Sequence, residues 1–78
     1  MKIEILGTGC AKCAKLFETA KQAVAETGIQ ADVTKVEKLA DIMNYGVMMT
    51  PAIVIDGQVK ASGKVPDIGQ IKQWLQEK

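Results

Sequence analysis

Two cysteines separated by two residues, in Cys10-Ala11-Lys12-Cys13, are the side chains of this sequence best suited to covalent chemistry. They follow a short apolar run and open a helical pattern. Thiols at this spacing can close and reopen a disulfide with little backbone rearrangement, which is what thiol–disulfide exchange requires. A thiol attacks only as a thiolate, so its surroundings must lower its pKa. A sulfur at the start of a helix faces unpaired backbone N–H groups and the positive end of the helix dipole. Lys12 adds positive charge as the nearer tuning group, with Lys15 beyond it. The chain has no histidine, so no imidazole can serve as base. Position along the helix divides the work. Cys10 is expected to be the exposed attacking thiol, and Cys13, one turn in and partly shielded, the resolving one.

A purely structural disulfide fits less well. So short a loop yields only about 2 kcal/mol in the chain-entropy account. Secreted domains stapled for stability usually carry several bridges across longer loops.

The elements that must hold this pair can be read around it. Lys2-Ile3-Glu4-Ile5-Leu6 has the alternation of a strand, with Ile3 and Ile5 on one face. Glu4 is then a charge inside a strand, with no partner that the sequence identifies. Gly7-Thr8-Gly9 breaks the strand and gives the backbone latitude to turn. From Ala11 to Thr27, Cys13, Leu16, Phe17, Ala20 and Val24 recur at helical spacing, and Gly28 supplies the stop. Ile29, Ala31 and Val33 alternate with polar residues and Val36 follows, predicting a second strand parallel to the first through a crossover.

A short helix is expected over 38–45, with Leu39, Ile42 and Met43 inward and Gly46 ending it. Thr50-Pro51 heads the apolar run Ala52-Ile53-Val54-Ile55, which reads as a buried strand. A proline there is tolerated because its missing N–H lies outside the ladder, and spacing alone leaves its isomer open. Asp56-Gly57 predicts a type I′ hairpin into a strand over 58–62. Gly63 ends that strand. Pro66-Asp67 opens a last helix, with Asp67 and Gln70 spaced as a variant capping box. Ile68, Ile71 and Leu75 line its buried side, and Trp74 anchors its flank. The order is βαβ followed by αββα, an α/β fold with a four-stranded mixed sheet flanked by three helices.

Seventy-eight residues, 47% of them apolar, suit one small domain over 1–78. Ten basic and nine acidic residues are dispersed and leave a net charge of +1, so no basic stripe for nucleic acid forms. Glu18, Lys21, Lys72 and Lys78 read as solvated surface charge. No apolar run approaches the roughly 20 residues that span a bilayer. The strand pattern begins at once, leaving no room for a secretory leader, so the expected compartment is the cytoplasm.

With a strand, Cys10-x-x-Cys13 opening a helix, and Tyr45-Gly46-Val47-Met48-Met49-Thr50-Pro51 opening a later strand, the chain resembles the thioredoxin superfamily. It looks closest to the small, glutaredoxin-sized redox-active disulfide proteins of archaea and bacteria. The resemblance extends over essentially the whole chain and implies a thioredoxin-like fold. It also implies Cys10 as nucleophile, Cys13 as resolver and Pro51 as a cis-proline beside them. The backbone of Thr50 would hydrogen-bond an extended substrate segment, and Gly63 would leave room beside the site. Partners implied are protein disulfides and, as electron donor, a thioredoxin-reductase-like flavoprotein or glutathione. No bound cofactor is expected beyond the Cys10–Cys13 disulfide, and a monomer suffices. The motif also departs from the family. Gly9 stands where typical thioredoxins have tryptophan before the first cysteine, and Ala11-Lys12 where they have Gly-Pro. No redox potential can therefore be carried over.

Other classes fit less of the sequence. Small ferredoxin-like metal chaperones also place Cys-x-x-Cys between a first strand and a first helix, and two thiolates can hold Cu(I). Such domains usually carry methionine where Thr8 stands and end on a strand. A structural zinc site wants four ligands, which one copy lacks. Met43, Met48 and Met49 are expected to pack in the core or at its rim near the dithiol rather than ligate metal. A scaffold without redox chemistry would have no need of both cysteines.

Overall fold

A computed structural model of the chain describes residues 1–9, 11–47 and 49–76. Seven elements follow in order: β1 (Lys2–Leu6), α1 (Ala11–Thr27), β2 (Asp32–Val36), α2 (Leu39–Asn44), β3 (Ala52–Ile55), β4 (Gln58–Ser62) and α3 (Ile68–Gln76). The strands form one mixed sheet in the order β2-β1-β3-β4. β1 runs parallel to β2 and antiparallel to β3, and β3 pairs antiparallel with β4. This is the expected α/β architecture.

Alternation along β1 and β3 sends side chains to two unlike faces. One face carries Ile3, Ile5, Ile53, Ile55 and Ala61, packed against Leu16, Ala20 and Ala23 of α1 and Ile71 and Leu75 of α3. Phe17, Val24, Ile68 and Trp74 are half-buried around this cluster. The helical face of α1 is therefore centred on Cys13, Leu16, Ala20 and Ala23, with Phe17 and Val24 on its flank. The opposite face holds Leu6, Ala52 and Val54, covered by Ile42 and Val47.

Local sequence explains most element ends. Gly28 takes a φ of 71° and its N–H reaches Val24 O at 3.1 Å, closing α1. Asp56 and Gly57 both have positive φ, 49° and 83°, as the I′ turn demands. Asp67 accepts a hydrogen bond from the Gln70 N–H at 2.8 Å, capping α3. The β3–β4 register slips between Ile53 and Val54, so Ala61 opposite Ile53 stays on the α1/α3 face.

Three expectations need correction. β2 starts at Asp32, not near Ile29, because β1 starts at Lys2 and offers no ladder partner further back. Ile29 and Ala31 instead pack, half-buried, against the α1/α3 core. In α2 only Ile42 is buried, whereas Leu39 and Met43 are 63% and 64% exposed. A helix of six residues makes fewer than two turns, so one row of side chains reaches the sheet and the next faces water. Lys72 and Lys21 are also more than solubilising charge. Lys72 Nζ sits 3.0 Å from Glu26 Oε1, tying α3 to α1 and holding the Glu26 carboxyl below its usual range. Lys21 Nζ lies 5.2 Å from the Phe17 ring centroid. Lys78 lies outside the described residues.

Candidate active site

The carboxyl end of β1 gathers the residues that could do chemistry. Leu6 pairs with Val36 on one side and Ala52 on the other. One residue further, the Gly7 N–H donates to Val36 O at 3.0 Å. Across β3, the Gly63 N–H donates to Pro51 O at 2.9 Å, next to the Ala52–Ser62 pair. Val36, Gly7, Pro51 and Gly63 thus fall in a row along one end of the sheet. The chain leaves that end through Thr8 and Gly9 to begin α1 at Ala11. The helix N-terminus emerges beside the row.

Cys13 is only 6% exposed, on the first turns of α1, and its sulfur is disulfide-bonded. Cys10, the expected attacking thiol, lies outside the described residues. A Cβ built on Gly7 would fall inside the van der Waals shell of Cys13 Sγ and 2.9 Å from Cys13 Cβ. Gly7 therefore makes room for a sulfur. Its φ is not in the left-handed region, so the turn's conformational latitude comes from Gly9, at 93°. Glycine at position 7 is there for space.

Lys12 is exposed on the opening turn of α1, and that turn contains no acidic side chain. The positive end of this helix is therefore left uncompensated by its own residues. Cys13 also borders a cavity of about 100 Å³ shared with Ile5, Gly7, Gly9, Ala14, Lys35 and Glu37. Lys35 Nζ stands 4.5 Å from the Phe17 ring centroid at this side of the sheet.

On the other side of the row, the Thr50–Pro51 peptide bond is cis, with Pro51 buried and Thr50 exposed. Gly63, with a φ of 75°, is half-buried. The room above it is taken, because Met49 Cβ, Cε and Sδ lie 3.0, 3.1 and 3.2 Å from where a Gly63 Cβ would stand. Met49 is itself 63% exposed, so it forms part of the rim rather than the core. Met43 is exposed on α2, and Met48 lies outside the described residues.

The charge inside β1 has a partner that the sequence did not reveal. The Tyr45 hydroxyl donates to Glu4 Oε2, and Glu4 is 8% exposed. That hydrogen bond, followed by burial, pushes the Tyr45 phenol above its ordinary pKa. The pair is separated by 41 positions, so no local spacing announces it. Gly7 was equally hidden, since a glycine in a Gly-Thr-Gly turn is fully accounted for by flexibility.

The sequence pattern of the thioredoxin domain family matches residues 1–76. A thioredoxin of Methanothermobacter thermautotrophicus is 40% identical over 75 residues, covering 96% of this chain and 97% of that protein. A thioredoxin of Methanocaldococcus jannaschii is 40% identical over 73 residues, covering 94% and 84%. A probable thioredoxin of Methanothermobacter marburgensis is 34% identical over 67 residues, covering 81% and 79%. The chain belongs to the thioredoxin domain family. Its activity class is thiol–disulfide oxidoreduction. The crowded end of β1 lies against a buried half-cystine, Cys13, near the start of α1. Among the described residues, no helix is long and apolar enough to cross a membrane.

Proposed function

We propose that this single domain, residues 1–78, reduces disulfides of other proteins in the cytoplasm, as a monomer, through Cys10 and Cys13. The Cys10 thiolate attacks one sulfur of the target, whose S–S bond breaks, and the departing target sulfur takes up a proton. Cys13 then gives up its proton and attacks Cys10 in the mixed disulfide. The second target sulfur leaves as a thiol. Two electrons have passed to the target and a Cys10–Cys13 disulfide remains. A thioredoxin-reductase-like flavoprotein restores the dithiol, with glutathione as the second candidate donor. The two sulfurs carry both electrons, so no bound cofactor takes part.

The observation that carries this reading is Cys13 itself, half of a disulfide, 6% exposed and seated against Gly7 at the mouth of α1. A sulfur so enclosed is poorly reached by a bulky partner and well suited to close on a neighbour. Helix-end N–H groups, with Lys12 nearby, supply the stabilisation a thiolate needs in the absence of histidine. The backbone of Thr50, an exposed residue beside Pro51, is offered as the edge on which an extended target segment pairs. The test is mutational. Cys13→Ser should accumulate a covalent adduct with a protein disulfide, and Cys10→Ser should not react. Equal trapping by the two variants would overturn the assignment of roles.

A further inference from the structure

We propose that Met49 is a specificity-determining residue of the exchange site, selecting targets that carry an apolar side chain next to the reactive cysteine. The inference rests on the thiol–disulfide reading above. Three observations support it. Met49 immediately precedes Thr50–Pro51, the segment assigned to hold the target backbone. Its side chain lies on Gly63, with Sδ and Cε 3.2 and 3.1 Å from the position a Cβ would take there. Gly63 in turn donates its N–H to Pro51 O, so the thioether is seated on backbone that belongs to the same end of the sheet.

An apolar side chain 63% exposed in this position has one face supported and one face open to water. Gly63 supplies the flat support; any side chain there would displace the thioether. Methionine is unbranched and polarizable, so it can mould itself to apolar groups of different shape. It offers nothing to a charged group, which would lose hydration against it without gaining a partner. A target segment laid along Thr50 would bring its neighbouring side chain over this surface. An apolar neighbour removes both surfaces from water, and a carboxylate does not.

The test uses the reduced full chain in single-turnover reactions with two disulfide-linked peptides. These differ only in the residue before the cysteine, leucine in one and glutamate in the other. The ratio of the two rates, measured on one protein sample, cancels differences in the amount of active protein. The wild type should favour the leucine peptide by about tenfold, within the range one apolar contact gives in substrate discrimination. Met49→Leu should keep that preference, Met49→Ala should reduce it to about twofold, and Met49→Lys should turn it toward the glutamate peptide. A wild-type ratio near one, or a Met49→Ala ratio equal to the wild type's, overturns the inference and leaves the exchange reading intact. Failure of the wild type to reduce either peptide overturns the exchange reading and the inference with it.

Discussion

The two faces of the sheet are built differently. Beneath α1 and α3 the buried core is aliphatic, with Ile3, Ile5, Ile53 and Ile55 against Leu16, Ile71 and Leu75. Beneath α2 it is thin, with Leu6, Ala52 and Val54 under Ile42 and Val47. That side also contains the Glu4–Tyr45 pair and leaves Leu39, Met43 and Val59 exposed. The thick side mounts the helix that carries Cys13. The thin side leads, through Val47, to the segment that presents Met49, Thr50 and Pro51. The half-cystine sits on the more heavily packed layer, and the Met49–Pro51 segment continues from the lighter one.

This contrast can be broken by paired substitutions. Leu16→Ala should cost about 3–5 kcal/mol and Ile42→Ala about 2–3 kcal/mol in urea unfolding, because a lightly covered site collapses more readily around a deletion. The first is a large part of the roughly 5–15 kcal/mol that holds a domain together. Equal losses would remove the distinction between the faces. Gly7→Ala should cost about 1–3 kcal/mol by overpacking and should also slow disulfide exchange, since the added methyl displaces Cys13 Sγ. Unaltered stability and exchange would show that the sulfur has room to move.

The polar pair sharpens the contrast at smaller amplitude. Tyr45→Phe leaves the Glu4 carboxylate buried without its donor, at about 1–3 kcal/mol. Glu4→Gln keeps an acceptor for the hydroxyl and should cost less. The same loss in both variants would mean that the charge, rather than the hydrogen bond, decides. Tyr45 is the only tyrosine, so its ultraviolet titration reports this site alone. It should ionise above the free phenol value of about 10, and at that ordinary value in the unfolded chain. The fold holds the phenolic proton more tightly than the unfolded chain does. The resulting stability is complete below the ordinary value and is lost as pH rises through the raised native one. An unshifted titration would dissolve the pair.

Much of this architecture is local, and local features are legible. The period of α1, the stop at Gly28, the Asp56-Gly57 turn and the Asp67 cap each depend on residues within a turn or two of one another. Their conformational preferences act before any tertiary contact forms. Local pattern misleads where burial or pairing depends on a distant neighbour. Ile29 and Ala31 alternate as a strand would, yet lack a ladder partner. Leu39 and Met43 are apolar, yet α2 is too short to turn both toward the sheet.

A Cys-x-x-Cys motif after a strand, a Thr-Pro at the head of a buried strand and the order βαβ then αββα are all legible along the chain. Those are matters of spacing and backbone preference along the chain. That β3 lies against β1 is settled by long-range pairing. That pairing aligns Gly7 with Pro51 and Gly63, sets Cys13 against a glycine, brings Tyr45 to Glu4 and lays Met49 across Gly63. Each of these depends on which atoms occupy the same volume, and volume is shared only once the sheet has closed.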